Sequence, residues 1–321
     1  MREHIIILGN FKNKLFILLL TIPFIGFGQG WTNTFNYGGE KGTRGYSIKQ
    51  TTNGDYILGG CWDDNNGGHG ILLKINTDGT LQWDQLFGMG NNHESFKSVE
   101  ETNDGGYILC GVKNDPVTDW DVWLVKTDGN GNQQWDQNID LNNTHDGGRS
   151  VQQTNDGGYI ITGYSNSNIW LIKTDGNGNQ LWNQILDSTT TNEHYGGYSV
   201  EQTSDGGYII TGISGPGYTC LIKTDGSGNQ QWNQTFGNIS EEPGRSVQQT
   251  NDGGYILTGE TENQDIWLIK TDGNGNQQWD QTFGGIDTDL GNSVQQTSDG
   301  GYIITGMMFD DSLFCLIKTD G

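Results

Sequence analysis

The chain has 321 residues, 52 of them glycine, and only 32% of it is hydrophobic. Sixteen Lys and Arg against 39 Asp and Glu give a net charge of −23, which argues against nucleic acid and anionic membranes as partners. Low hydrophobicity with high charge also marks disorder, but the 11 Trp, 12 Tyr and 11 Phe fall with the aliphatic residues into short runs at a fixed period, which a disordered chain would not show.

Residues 1–28 differ from the rest. Arg2, Lys12 and Lys14 make a positive leader, Leu15 to Phe27 is apolar, and Gly26 and Gly28 are small residues at positions −3 and −1 of a cut before Gln29. This pattern is that of a secretory signal peptide. The apolar run is shorter than the ~20 residues of a typical membrane span. No Cys follows the cut, so a lipid anchor is not supported. Cleavage would remove three positive charges and Glu3, taking the net charge from −23 to −25. The expectation is a secreted, cell-surface or periplasmic protein with no membrane attachment after cleavage, and a single mature domain, 29–321.

After the leader one unit recurs six times. Its Tyr stands at Tyr56, Tyr107, Tyr159, Tyr208, Tyr255 and Tyr302, at intervals of 51, 52, 49, 47 and 47 residues. A Lys recurs at Lys74, Lys126, Lys173, Lys223, Lys270 and Lys318, and a Trp at Trp83, Trp135, Trp182, Trp232 and Trp279. Each copy holds four strand-like runs; in the third they are SVQQT, GYIITG, IWLIKT and NQLWNQIL. Asn155-Asp156-Gly157-Gly158 joins the first pair, and Asp175-Gly176-Asn177-Gly178-Asn179 the last pair. Asp-Gly favours tight turns because Gly accepts the positive φ they need. Four antiparallel strands in ~40–50 residues, repeated, predict the blades of a β-propeller.

Six Tyr and six Lys stand against five such Trp. The sixth copy stops at Gly321, where its fourth strand would begin. An orphan strand, Trp31-Thr32-Asn33-Thr34-Phe35, lies at the other end and matches Trp279-Asp280-Gln281-Thr282-Phe283. The expectation is therefore an all-β, six-bladed propeller of four-stranded antiparallel blades, monomeric, its last blade closed by the N-terminal strand. An open solenoid and a larger ring are the rivals. Cys61, Cys110, Cys220 and Cys315 read as free thiols at packed positions, since Cys220 and Cys315 take the slot of Trp170 and Trp267, and Cys110 that of Thr162.

The pattern DGGYIITG…WLIKTDGNGNxxW resembles the glycine-rich repeat of secreted bacterial and archaeal proteins, most familiar in Bacteroidetes, over residues 31–321. The resemblance implies export and a propeller, and leaves function unassigned. Asp128, Gly131 and Trp135 are similar to the hairpin motif of quinoprotein propellers, with the Asp-to-Gly step one residue shorter. Members of that family bind pyrroloquinoline quinone and calcium. Asp-box sialidases, also six-bladed, carry a hairpin at the same place, but their spacing is not met.

No cofactor is expected. Calcium is the alternative to weigh, because the Asp-Gly-Asn-Gly-Asn loops alternate oxygen-bearing side chains. A turn whose Asp and Asn bond their own backbone is the preferred reading. The recurrent Lys is read as structural, its stem along the blade and its ammonium on a carboxylate. Arg44, Arg149 and Arg245 lie just before first strands in alternate blades, a set that would suit a carboxylate or sulfate; pairing with neighbours such as Asp146, Glu241 and Glu242 is preferred. His69, His93, His145 and His194 are placed in solvated loops. Loops between second and third strands and between blades vary from copy to copy, while the other turns barely change. Trp62, Trp120, Tyr195 and Tyr218 are expected exposed on that variable face beside the arginines. Loops on a rigid scaffold carry recognition, so the expected ligand is a glycan or protein bound there. The enzymatic alternative is a sialidase-like hydrolase or a quinone-dependent dehydrogenase.

Overall fold

The structure, a computed structural model, describes residues 35, 42–63, 67–88, 93–117, 119–187, 196–215, 217–237, 243–286, 288–308 and 313–320. Residues Asn33–Gly321 form one compact unit, an all-β six-bladed propeller. The leader expected over 1–28 lies outside the described residues, as do His194, Tyr195, Glu241 and Glu242.

Blade 1 comprises strands Gly42–Gln50, Tyr56–Asp63, Gly68–Ile75 and Leu81–Phe87, and blade 2 comprises Glu94–Glu101, Tyr107–Asp115, Asp119–Thr127 and Gln133–Ile139. Blade 3 is Asp146–Gln153, Tyr159–Ser165, Asn168–Thr174 and Gln180–Asp187; blade 4 is Gly196–Gln202, Tyr208–Ser214, Tyr218–Thr224 and Gln230–Phe236. Blade 5 is Ser246–Gln249, Tyr255–Glu260, Ile266–Thr271 and Gln277–Phe283, and blade 6 shows Asp289–Gln296, Tyr302–Met308 and Leu313–Thr319. Every blade is an antiparallel meander in sequence order. First strands of successive blades touch one another, so they line the axis. Among the described residues blade 6 has three strands. Of the closing strand expected at Trp31–Phe35, only Phe35 is described.

The repeated residues explain why the unit folds this way. Lys126 is buried and donates to Asp104 Oδ2 at 2.9 Å and to the carbonyl of Thr127 at 2.8 Å. Lys173–Asp156, Lys223–Asp205 and Lys270–Asp252 repeat the latch. The Gly-Gly of the turn serves both halves of it. Gly105 takes a φ of 78°, while a Cβ on Gly106 would lie 2.1 Å from the Thr127 oxygen and 2.6 Å from the ammonium. Blade 1 has Asn53 for the Asp and Asp55 for the second Gly, and there Lys74 turns to Tyr107 Oη at 2.9 Å instead.

Blades pack through the faces of their strands. Ile108, Cys110, Val122 and Leu124 of blade 2 meet Val151, Tyr159, Ile161 and Trp170 of blade 3, all buried. Each recurrent Trp lies on the next blade's Tyr, as Trp135 on Tyr159 with ring centroids 5.9 Å apart. Polar latches add to this: the Asn103, Asn155, Ser204 and Asn251 N–H groups donate to Gln153, Gln202, Gln249 and Gln296 of the following blade. All four cysteines are free; Cys61, Cys110 and Cys220 are buried and Cys315 half-buried. Blades 6 and 1 differ from the other neighbours. Leu316 is 68% exposed where Leu171, Leu221 and Leu268 are fully buried, and Ile48 is 55% exposed where Val99 and Val200 are buried.

Two expectations about boundaries are corrected. Arg44 and Arg149 lie within the first strands Gly42–Gln50 and Asp146–Gln153, not before them, whereas Arg245 does precede Ser246–Gln249. Likewise Trp62 and His69 pair across the second and third strands of blade 1. The first strands run further than their apolar pattern because a bulge interrupts them: the pairing steps between Phe96 and Ser98 and between Gly197 and Ser199.

Candidate functional site

The bulge position defines an axial layer. It holds Tyr46, Lys97, Arg149, Tyr198, Arg245 and Asn292, each immediately before a Ser of the innermost strand. The Ser layer below ties the blades together, Ser98 Oγ accepting from the Val151 N–H at 3.3 Å and Ser150 Oγ from the Val200 N–H at 3.3 Å. Lys49, Glu100, Gln152, Glu201, Gln248 and Gln295 form the next layer but one along the same strands.

The three arginines are not one set. Arg149 and Arg245 share the bulge layer, whereas Arg44 stands two residues before Tyr46, which occupies that layer in blade 1. Arg44 Nη1 donates to Asp63 Oδ2 at 2.8 Å, and Arg245 Nε donates to Glu260 Oε1 at 2.8 Å. Arg149 has no ion pair among the described residues, and its Nη1 is buried without a hydrogen-bond acceptor. Pairing of Arg149 with Asp146 is thus not found. Asp146 instead caps its own loop, accepting from the Leu141 N–H at 2.7 Å and from Thr144 Oγ1 at 2.8 Å. Arg149 lies over two rings, 3.9 Å from the Tyr198 centroid and 4.9 Å from that of Tyr164. Lys97 is the cation that sequence reasoning missed. Its ammonium sits 3.6 Å from the Tyr46 centroid. Burial, then the positive charges of Arg149 and Arg44, push the Lys97 ammonium below the usual lysine range against the pull of Cys61 and Asp63. Aligning the repeats on the inner Ser would have placed Lys97 beside Arg149.

An aromatic and imidazole belt runs from this layer across the variable loops of blades 2 and 3. His93 lies 5.4 Å from Trp120, Trp120 stacks 6.1 Å from His145, and His145 lies 5.7 Å from Tyr164. His93 Nε2 approaches Asp63 at 3.6 Å and His145 Nδ1 approaches Asp119 at 3.6 Å. Trp62 and Trp120 are half-buried rather than exposed; Trp120 is in the belt, while the Trp62 ring lies tilted 5.3 Å from that of His69. His69 is a buried strand residue, its Nδ1 2.9 Å from the Gly88 carbonyl oxygen, not a loop residue. Tyr218 is half-buried and pairs with Ser214 on blade 4, apart from the belt.

The uniform hairpins do different work. Asp128 Oδ1 accepts from the N–H groups of Asn130 and Asn132 at 2.9 Å, and Oδ2 accepts from Asn132 Nδ2 at 2.9 Å. Its oxygens are turned onto their own loop, the turn bonding that such a hairpin needs. Gly131 lies against Trp83, with a Cβ clearance of 2.6 Å, and Trp135 lies on Tyr159. The same contacts recur from blade to blade, so Asp128 holds its turn while Gly131 and Trp135 pack between blades. Among the described residues no group of three or more His, Cys, Asp and Glu could hold a metal ion, and no helix is long and apolar enough to cross a membrane.

No family model and no curated protein matches this sequence. Among solved structures the chain is similar to a protein of unknown function from Bacteroides caccae, with 11% identity, a TM-score of 0.56, and 83% of this chain and 90% of that one covered. It is also similar to a protein of unknown function from Dyadobacter fermentans (10%, TM-score 0.54, 82% and 90% covered). A glucose dehydrogenase aligns with 8% identity, a TM-score of 0.53, and 86% and 96% covered. At these identities the likeness is one of fold, and the class defined is the β-propeller.

Proposed function

We propose that this protein is an exported recognition module that binds a glycan on its variable-loop face. One observation carries the reading: the partly open His93–Trp120–His145–Tyr164 belt. Rings with an apolar face and a polar edge suit a sugar, whose C–H faces stack while its hydroxyls bond imidazole and carboxylate. Asp63 and Asp119 stand at the two histidines to orient them. The leader over 1–28 supports export, which N-terminal sequencing of the secreted chain tests.

A glycan array probed with wild type and with Trp120→Ala tests the binding site. The variant should lose about tenfold or more in affinity, as central aromatic anchors do, with its melting temperature unchanged. Binding that ignores Trp120 and disappears only with changes in the uniform turns, at Asp156 or Asp175, would refute this face. A second reading, an enzyme acting on an acidic sugar or a quinone-dependent dehydrogenase, draws on the fold shared with the glucose dehydrogenase and on Glu100 and Glu201 beside Lys49 at the axis. Turnover of a bound sugar that stops in Glu100→Gln would favour it.

A further inference from the structure

We propose that Lys97 and Arg149 form an anion subsite at the axial end of the belt, and that the glycan is an acidic one bearing carboxylate or sulfate groups. This rests on the glycan reading above and specifies its ligand.

The argument begins with charge. In a chain of net charge −23, seven of the ten other described Lys and Arg have a carboxylate, while Lys74 bonds Tyr107, Lys113 lies over Trp123 and Lys49 is near enough to Glu100 and Glu201 to pull both carboxyls down. Lys126, Lys173, Lys223, Lys270 and Lys318 are latched to aspartates, Arg44 to Asp63 and Arg245 to Glu260. Lys97 and Arg149, on the neighbouring first strands of blades 2 and 3, make no ion pair among the described residues. They are near enough for Arg149 to depress the ammonium of Lys97. Two like charges held together in a partly buried setting destabilise each other and whatever holds them. An anion between them removes that penalty, and the guanidinium with its buried, unbonded Nη1 offers N–H donors in a fork that matches carboxylate or sulfate oxygens.

The rings define the rest of the subsite. Lys97 rests on Tyr46, and Arg149 on Tyr198 and Tyr164, so the cations are held by aromatic faces rather than by acids. Such contacts fix position while leaving the charge for a ligand. Tyr164 belongs both to this subsite and to the belt through His145. A saccharide along the belt would therefore bring an anionic substituent to Lys97 and Arg149. Asp63 acts on Lys97 only at a distance: its Oδ2 accepts from Arg44 at 2.8 Å, and it makes no ion pair with Lys97.

The test is calorimetry on the secreted chain at low salt, with three probes: oligogalacturonate, a κ-carrageenan oligosaccharide, which carries sulfate and no carboxylate, and a neutral galactan oligosaccharide. The expectation is binding of an acidic probe and not of the neutral one, with an affinity loss of about tenfold or more in Lys97→Gln and in Arg149→Gln, the scale of a lost charged hydrogen bond. Arg149→Lys should retain part of it, and melting temperatures should report that each variant is folded. Preference between the two acidic probes identifies the anion as carboxylate or sulfate. Neutral binding that depends on Trp120 but not on Lys97 or Arg149 overturns the anion subsite and leaves the glycan reading standing. Acidic binding that needs Lys97 and Arg149 but not Trp120 keeps the subsite and removes the belt. No binding of any probe overturns both.

Discussion

Glu100 and Glu201 share their repeat position with Lys49, Gln152, Gln248 and Gln295, and all four acidic or amide side chains of blades 2 to 5 do one job. Glu100 Oε2 accepts from the Gln153 N–H at 3.1 Å and Glu201 Oε2 from the Gln249 N–H at 2.6 Å, as Gln152 and Gln248 do for Gln202 and Gln296. Burial raises both carboxyls above the usual glutamate range; Lys49 pulls both down, and Glu201 pushes Glu100 further up. A carboxyl with a raised folded pKa leaves stability intact below its unfolded value, about 4 for Glu, and removes it as pH rises through the folded one. Gln keeps the acceptor without the charge. Glu100→Gln and Glu201→Gln should melt higher than wild type at pH 8 and alike at pH 4. A lower melting temperature at pH 8 would mean that attraction to Lys49 outweighs burial. The sequence shows that these positions repeat, but not that they face the axis. Arg44 reads as the partner of Arg149 because both precede the apolar run of a first strand, although Arg44 stands three residues before its Ser and Arg149 one; Lys97, one residue before Ser98, goes unnoticed.

Strands and hairpins were legible because Asp-Gly turns punctuate them and because each strand keeps its alternation of apolar residues. The turn latch was legible too, as a Lys seeking a carboxylate; which carboxylate was not, since Asp104 and Lys126 lie 22 residues apart. Burial works against ionisation of Asp104, Asp156 and Asp205, but hydrogen bonds from a Thr, a Lys and a turn N–H outweigh it and hold each at about 2; Lys270 and Thr250 hold Asp252 at about 2 as well. A depressed carboxyl contributes stability above its unfolded pKa that is lost as pH falls toward the folded value. Unfolding by acid should therefore set in below about pH 4 and run toward pH 2. Asp156→Asn removes one of these groups and leaves the Lys173 ammonium, 3% exposed, short of its acid. It should cost roughly 1–3 kcal/mol at pH 7 and flatten the acid limb of a stability–pH curve measured in urea. An unchanged curve would show that Lys173 is satisfied by the Thr174 carbonyl alone.

At the scale of the ring the open question is the seam. By the repeat, Leu316 and Ile48 belong to facing blades, as Leu171 and Val200 do where blades 3 and 4 pack. Both are exposed instead. Gln50, which would receive a latch from the preceding blade, donates to the Gly54 carbonyl of its own turn at 3.0 Å. Yet Phe35 packs on Ile71, Leu73 and Ile75 of blade 1. Phe87, Phe236 and Phe283, each four residues after a recurrent Trp, pack in the same way on the blade that follows. The contact of Phe35 is the one that a fourth strand of blade 6 would make, which supports closure by the N-terminal strand as a proposal. If so, Phe35→Ala should lower stability by about 1–3 kcal/mol, less than a fully buried Phe would cost because Phe35 is half-buried. Ile286→Ala, at a 95% exposed site, is the control and should change nothing. Deleting residues 29–37 should do more: the blade 1 face at Ile71, Leu73 and Ile75 would lose Phe35 and the edge of Leu313–Thr319 would lose the proposed strand, and exposed apolar faces and open edges drive self-association. Light scattering after size exclusion should show oligomers of the deletion variant and monomers of wild type. A deletion variant that stays monomeric with an unchanged melting temperature would rule out the N-terminal strand as the clasp of the ring.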